Sequence, residues 1–79
     1  MNLAQAVAKR TSELLKVHSM SQYRLIKETC LDKTTIQSIM KGKTKDVKLS
    51  TIFLIADVFN MTISEFVNVE YFKKFNIEL

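Results

Sequence analysis

The chain has 79 residues, of which 47% are hydrophobic and 25% charged, and its net charge is +4. This length predicts one domain with a single core and leaves little room for a deep enzyme cleft. Cys30 is the only cysteine and His18 the only histidine, which excludes an internal disulfide and a Cys/His zinc site, so no cofactor is expected. The sequence has no apolar run of membrane-spanning length and no signal-peptide pattern, and we expect a soluble protein of the reducing cytoplasm.

The positive charge is concentrated in the middle of the chain. Residues 16–48 carry eight Lys or Arg against three Asp or Glu, a net charge of +5, whereas residues 49–79 have a net charge of −2. A localised basic stretch in a small domain favours a polyanionic partner, usually nucleic acid. The alternative is a solvated lysine-rich surface, and the charge by itself does not decide between the two.

The first half of the chain predicts two helices. Apolar residues recur at helical spacing over residues 3–17, which indicates the first helix. Ser21 is a good N-cap, because its hydroxyl can accept a hydrogen bond from an amide one turn on, and it predicts a second helix from residue 22 to about residue 29. The apolar residues that we assign to this second helix are Tyr23, Leu25 and Ile26.

A third helix is predicted from residue 33 to about residue 41. Asp32 is its expected cap, because a carboxylate suits both the free amides and the helix dipole. Gly42 follows at the position where a helix ends in a left-handed residue. The residues of this helix that we expect to turn inward are Ile36, Ile39 and Met40.

Two more helices are predicted after a polar loop. Residues 49–59 are apolar almost all round, which is typical of a central, well-buried helix, and Asp46 could cap it in place of Lys48. Asn60 tolerates the left-handed conformation that ends a helix. Thr62 and Glu65 form a capping box, which predicts a fifth helix from residue 63 to about residue 69. Five short helices indicate an all-α domain.

The spacing of the second and third helices is that of a helix-turn-helix, with about three residues between them. The polar side of the third helix carries Lys, Thr, Gln and Ser, with no acidic residue after Asp32. Such donors and short acceptors suit base edges and phosphates, whereas a face that serves solubility alone would mix Glu with Lys.

Two stretches resemble a known family. Residues 21–45 (SQYRLIKETCLDKTTIQSIMKGKTK) are similar to the helix-turn-helix of the Cro/C1-type (XRE-family) regulators, and residues 55–66 (IADVFNMTISEF) resemble the helices that follow it. The resemblance covers about residues 3–68. It implies a compact five-helix bundle of the lambda-repressor-like type that binds operator DNA, commonly as a dimer. We expect this DNA-binding domain over residues 1–69, with residues 70–79 as a short C-terminal tail that could join two subunits.

The chain departs from the family pattern at three positions. Cys30 stands where the family usually has Gly in the turn, which implies left-handed strain or a shifted turn. Ile26 stands where a small residue is common, and Lys48 stands where a Ser or Thr usually caps the fourth helix.

The resemblance implies DNA-contacting roles for nine residues. The four expected to contact bases are Lys33, Thr34, Gln37 and Ser38. The five expected to contact phosphates are Gln22, Thr35, Lys41, Lys43 and Lys45. Alternatives stay open for these roles. Gln22 could be a solvated first-turn glutamine, and the residues expected to contact bases could bind only phosphates, as Gln37 could bind the backbone. Thr35 could bond within its own helix, and the lysines could form a mobile loop.

The remaining distinctive residues have structural interpretations. We expect Cys30 to be a buried thiol of the turn rather than a redox switch. His18 is expected to be solvated or to cap the first helix. The methionines that we expect to fill the core are Met20, Met40 and Met61.

The sequence therefore predicts a sequence-specific transcriptional regulator, a repressor, that binds double-stranded DNA as a homodimer without a small-molecule ligand or a membrane. The alternative is a protein-interaction module of the same fold, such as the antitoxin of a toxin–antitoxin pair. An enzyme is not expected, because the chain has no nucleophile–base pair, metal-ligand cluster or phosphate-binding loop.

Overall fold

The computed structural model describes residues 1–44 and 46–73. These residues form five α-helices and a final 3₁₀ helix, without a strand, and this confirms the all-α class. The elements are α1 (Leu3–Val17), α2 (Gln22–Thr29), α3 (Lys33–Met40), α4 (Leu49–Val58), α5 (Ile63–Phe66) and the 3₁₀ helix (Glu70–Phe72). Lys45 and residues 74–79 lie outside the described residues.

Local side chains start three of the helices. The Ser21 hydroxyl accepts a hydrogen bond from the Arg24 amide at 3.1 Å, and the Thr62 hydroxyl accepts one from the Glu65 amide at 3.1 Å. The Glu65 carboxylate in turn accepts from the Thr62 amide at 2.9 Å, and this bond lowers the pKa of Glu65 below its ordinary value. Both predicted caps are confirmed. Asn2 also forms a capping box, which was not predicted from the sequence.

The core lies between the five α-helices. α1 packs on α3, and α2 packs on α4. The longest helix, α1, therefore supports the core side of α3. The buried apolar residues of this core are Val7, Leu14, Leu15, Leu25, Ile36, Ile39, Ile52, Ile55, Ala56, Phe59 and Phe66. Met20, Met40 and Met61 pack against the core, as predicted.

Arg10 ties α1 to the end of α5. Its Nε donates to the Phe66 carbonyl at 2.7 Å and its Nη2 donates to the Glu65 carbonyl at 3.2 Å. The guanidinium thus satisfies two carbonyls at the end of α5. The prediction that α5 reaches about residue 69 is wrong, since the helix ends at Phe66 and the Asn68 amide donates only three residues back, to the Glu65 carbonyl at 3.3 Å. The 3₁₀ helix then returns to α1, where the Tyr71 hydroxyl donates to the Glu13 carboxylate.

The prediction of a central, well-buried α4 is wrong for one side of this helix. Leu49 is 65% exposed and Phe53 is 54% exposed, while Ile52 and Ile55 on the other side are buried. α4 packs on α2 and α5, which cover one of its sides. The other side of α4 is also apolar and stays open. The start of α4 has no capping hydrogen bond from a side chain. Lys48 occupies the N-cap position, and Asp46 does not cap the helix in its place.

Three further predictions need correction. Asp32 occupies the N-cap position of α3, but its side chain makes no capping hydrogen bond. Tyr23 is 63% exposed and so is not part of the apolar side of α2. Cys30 is exposed rather than buried, because the left-handed turn directs it away from the core. No helix among the described residues has the length and apolar character needed to cross a membrane.

Candidate nucleic-acid interface

A left-handed turn connects α2 and α3. α2 ends at Thr29, and Cys30 takes the left-handed conformation with φ 59° and ψ 20°, as the departure from the family's Gly implied. The Thr29 hydroxyl donates to the Leu25 carbonyl at 2.8 Å and accepts from the Leu31 amide at 3.3 Å. The buried Thr29 side chain thus bonds to backbone on both sides of the turn, and α3 starts at Lys33, after a connection of three residues as predicted.

The apolar and polar sides of α3 are cleanly separated. Ile36 and Ile39 are buried in the core, whereas Lys33 and Thr34 are exposed. The remaining polar residues, Gln37 and Ser38, are partly exposed. The four residues predicted to contact bases therefore lie on the part of α3 that the core leaves open.

A groove of about 470 Å³ runs between α2 and α3. It is lined by Gln22, Tyr23, Ile26, Lys27, Lys33 and Gln37. The structure thus brings the first residue of α2 beside two residues of α3. The charged residues of this lining are both lysines, which suits an anionic occupant.

A second cleft, of about 440 Å³, lies on the other flank of α3. Thr34, Thr35 and Ser38 line it from α3, and Thr44, Lys48, Ser50 and Thr51 line it from the loop and the start of α4. Asp46 also lines this cleft, so its charge is mixed. Thr35 is therefore separated from Gln22, although both are predicted to contact phosphates.

The lysines after α3 extend from a tightly closed helix end. Gly42 has φ 68°, and its amide donates to the Ile39 carbonyl at 2.9 Å, which confirms the predicted left-handed terminator. The Lys43 amide donates to the Ser38 carbonyl at 3.0 Å. Lys41 and Lys43 are exposed, as phosphate contacts require, and Lys45 lies outside the described residues.

Two residues of the α2–α3 groove were not predicted as site residues. The sequence predicts Tyr23 as one of the apolar residues of α2, and Lys27 only as part of the basic charge. A signal was available, because residues two apart on a helix do not share a face. Tyr23 and Leu25 could not both face the core, and Leu25 is the one that is fully buried.

The fold and the open polar side of α3 define a helix-turn-helix DNA-binding domain. A family model of the Cro/C1-type HTH DNA-binding domain matches residues 10–70, and the chain belongs to this family. Searches of the curated proteins and of the solved structures return no match.

Proposed function

We propose that the protein is a sequence-specific repressor of transcription that inserts α3 into the major groove of operator DNA. The observation that carries this proposal is the open side of α3, which presents Lys, Thr, Gln and Ser without a carboxylate. Family membership supports DNA binding as the activity. The protein would act by binding alone, not as an enzyme, and it would do so in the cytoplasm.

Each open residue of α3 suits a feature of the base edges. Lys33 can donate to guanine O6 or N7, and the Thr34 methyl group can contact a thymine methyl. Ser38 can donate or accept, so it suits several bases. Gln37 can read adenine or bind the backbone, and its position in the α2–α3 groove allows either role.

Phosphate contacts would supply most of the affinity. The residues that we propose for these contacts are Gln22, Thr35, Lys41, Lys43 and Lys45. Such contacts release counterions, so binding weakens as salt rises. The salt slope, which is the slope of log K against the logarithm of the salt concentration, becomes steeper by about 0.9 for each phosphate neutralised. Contacts to base edges would then decide which of many equally charged DNA sequences the protein prefers.

The base-reading role is tested by selecting the preferred site from random duplexes and then measuring binding by variants. Lys33→Ala combined with Ser38→Ala should lose most of the preference for the selected site and keep non-specific binding. Removal of one base-reading side chain should cost about 1–3 kcal/mol of discrimination. Lys16→Ala combined with Ser64→Ala is the matched control, since both residues are exposed and lie outside the helix-turn-helix and the proposed dimerisation tail. Unchanged discrimination by the first variant would show that α3 is not the reader.

The phosphate role is tested by Lys41→Met and Lys43→Met. Both changes should weaken binding to the selected duplex and to random duplexes by the same factor, because a phosphate contact carries no sequence information. The salt slope should fall by about 0.9 for each phosphate that is no longer neutralised. A weakening confined to the selected duplex would assign these lysines to base reading instead.

We further propose that two copies bind together, with residues 1–69 as the DNA-binding domain and residues 70–79 as a dimerisation tail. Helix-turn-helix dimers read two half-sites about one helical turn apart, so the selected duplex should be a palindrome. Sedimentation should show a dimer on DNA. An asymmetric single half-site with one bound copy would contradict this part of the proposal.

The alternative is a protein-interaction module, such as an antitoxin. The exposed Leu49 and Phe53 on α4 favour it, because apolar side chains open to solvent suit a protein surface. An electrophoretic shift assay with random duplex at low salt discriminates the two functions. No shift at micromolar protein would favour the protein-interaction module.

A further inference from the structure

Tyr23 is the largest exposed side chain of the α2–α3 groove and has no role in the core. It is 63% exposed, and it lines the groove together with Gln22, Lys33 and Gln37. These three neighbours all belong to the proposed DNA-contacting set. An occupant of the groove that touched them would therefore also reach Tyr23.

The charges around the groove favour a phosphate. On α2, Arg24 Nε lies 3.6 Å from the Glu28 carboxylate, so this arginine already has an acidic partner. Lys27 has no carboxylate within ion-pair distance among residues 1–44 and 46–73, and its Nζ lies 5.5 Å from the centre of the Tyr23 ring. The groove thus combines an aromatic ring with a cation that is available to an anion.

We propose that Tyr23 and Lys27 bind the DNA sugar–phosphate backbone in the α2–α3 groove, an inference that rests on the proposed function. The Tyr23 ring packs on a deoxyribose and its hydroxyl donates to a phosphate oxygen, while the Lys27 ammonium pairs with a phosphate of the same strand. Tyrosine suits this task because its ring is apolar and its tip is a donor. The Lys27–Tyr23 contact holds both groups in place before DNA arrives.

The groove suits the backbone better than the opposite cleft does. Asp46 and Lys48 make the charge of the cleft beside α4 mixed, whereas none of the described residues that line the α2–α3 groove is acidic. The groove also borders Lys33, the first residue of the base-reading side. A strand read by α3 would therefore pass its backbone across Tyr23 and Lys27.

The test uses the full chain, the selected duplex and a random duplex. Tyr23→Ala should weaken binding to both duplexes by about tenfold, and Tyr23→Phe by about threefold, because the second variant loses only the hydroxyl bond. Lys27→Met should lower the salt slope by about 0.9. Both side chains are exposed, so thermal unfolding of the free variants should match that of the unchanged protein.

The chain contains its own matched control. Lys9 lies on α1, away from the groove, and its Nζ is 4.5 Å from the centre of the Tyr71 ring. Lys9→Met therefore removes the same charge from the same kind of contact and should leave the salt slope nearly unchanged. Methylphosphonate substitution of single phosphates adds a positional readout: one neutralised phosphate should weaken the unchanged protein and have no effect on Lys27→Met.

The outcomes separate this inference from the proposed function. If the unchanged protein binds duplex DNA, and Tyr23→Ala and Lys27→Met bind it equally well, the groove is not a backbone site and the proposed function stands. An equal fall in salt slope for Lys9→Met would also overturn the inference, since it would show a long-range effect of charge. If the unchanged protein binds no duplex, both the proposed function and this inference fail.

Discussion

Replacement of Cys30 by glycine should stabilise the protein. Cys30 has φ 59°, in the left-handed region, at the turn between α2 and α3. This conformation costs an L-residue about 1–2 kcal/mol, and glycine adopts it without that cost. The thiol offers little in return, because it is exposed and its Sγ lies 3.8 Å from the Lys27 carbonyl oxygen.

The expected gain is smaller than the strain. Glycine gives the unfolded chain more freedom, which offsets about 0.5–1 kcal/mol of the relief. The free energy of unfolding should therefore rise by about 0.5–1 kcal/mol for Cys30→Gly. In a domain of this length, 1 kcal/mol shifts the midpoint of thermal unfolding by about 4–8 °C, so the midpoint should rise by about 2–8 °C.

Cys30→Ala is the reference variant, because it removes the thiol and keeps the strained backbone. Thermal and urea unfolding under reducing conditions should place this variant close to the unchanged protein and Cys30→Gly above both. Equal midpoints for the glycine and alanine variants would refute the assignment of strain to this turn. Sequence preference on DNA should be the same for all three, since the turn keeps its shape.

Three further predictions concern the contacts that hold the domain together. Ile55→Ala should lower the free energy of unfolding by about 2–5 kcal/mol, and Leu49→Ala on the open side of α4 by no more than about 0.5 kcal/mol; equal losses in urea unfolding would contradict the orientation of α4. Arg10→Met should lower it by about 1–3 kcal/mol, and Arg10→Lys should restore only part, because an ammonium cannot reproduce the guanidinium fork; complete rescue by lysine would assign the effect to charge. Burial and the hydrogen bond to Glu13 raise the pKa of Tyr71 from 10 to about 12, so the neutral phenol stabilises the fold fully below pH 10, and this stability is lost as pH rises towards 12. Denaturant midpoints measured between pH 9 and pH 12 should fall in the unchanged protein and fall less in Tyr71→Phe. Parallel curves for the two proteins would refute a role of Tyr71 in this loss of stability.

Helix starts and turns were predictable because they depend on residues close in sequence. The hydroxyls of Ser21 and Thr62 each bond an amide three residues on, so the residue type and its position were enough. Gly42 and Asn60 end their helices with positive φ for a similarly local reason. The start of α3 was also placed well, although Asp32 does not form the expected bond.

The exposed sides of helices were less predictable. α4 is apolar almost all round, so its hydrophobic pattern does not show which side faces the core. Only its packing on α2 and α5 shows that Leu49 and Phe53 are open to solvent. The carbonyl of Phe66 at the end of α5 accepts from Arg10, which is 56 residues earlier in the chain. No local pattern contains that contact.

For the candidate site, the sequence alone indicated the helix-turn-helix and the polar side of α3, because periodicity, caps and charge are local properties. The family was indicated by the resemblance of residues 21–45 and 55–66 to the Cro/C1-type regulators. Tertiary structure decided how the site residues are grouped. It placed Gln22, Lys33 and Gln37 around one groove and Thr35 in another cleft. It also placed Tyr23, which the sequence predicts only as an apolar residue of α2, in the groove, because the angle between two packed helices selects which side chains share a surface.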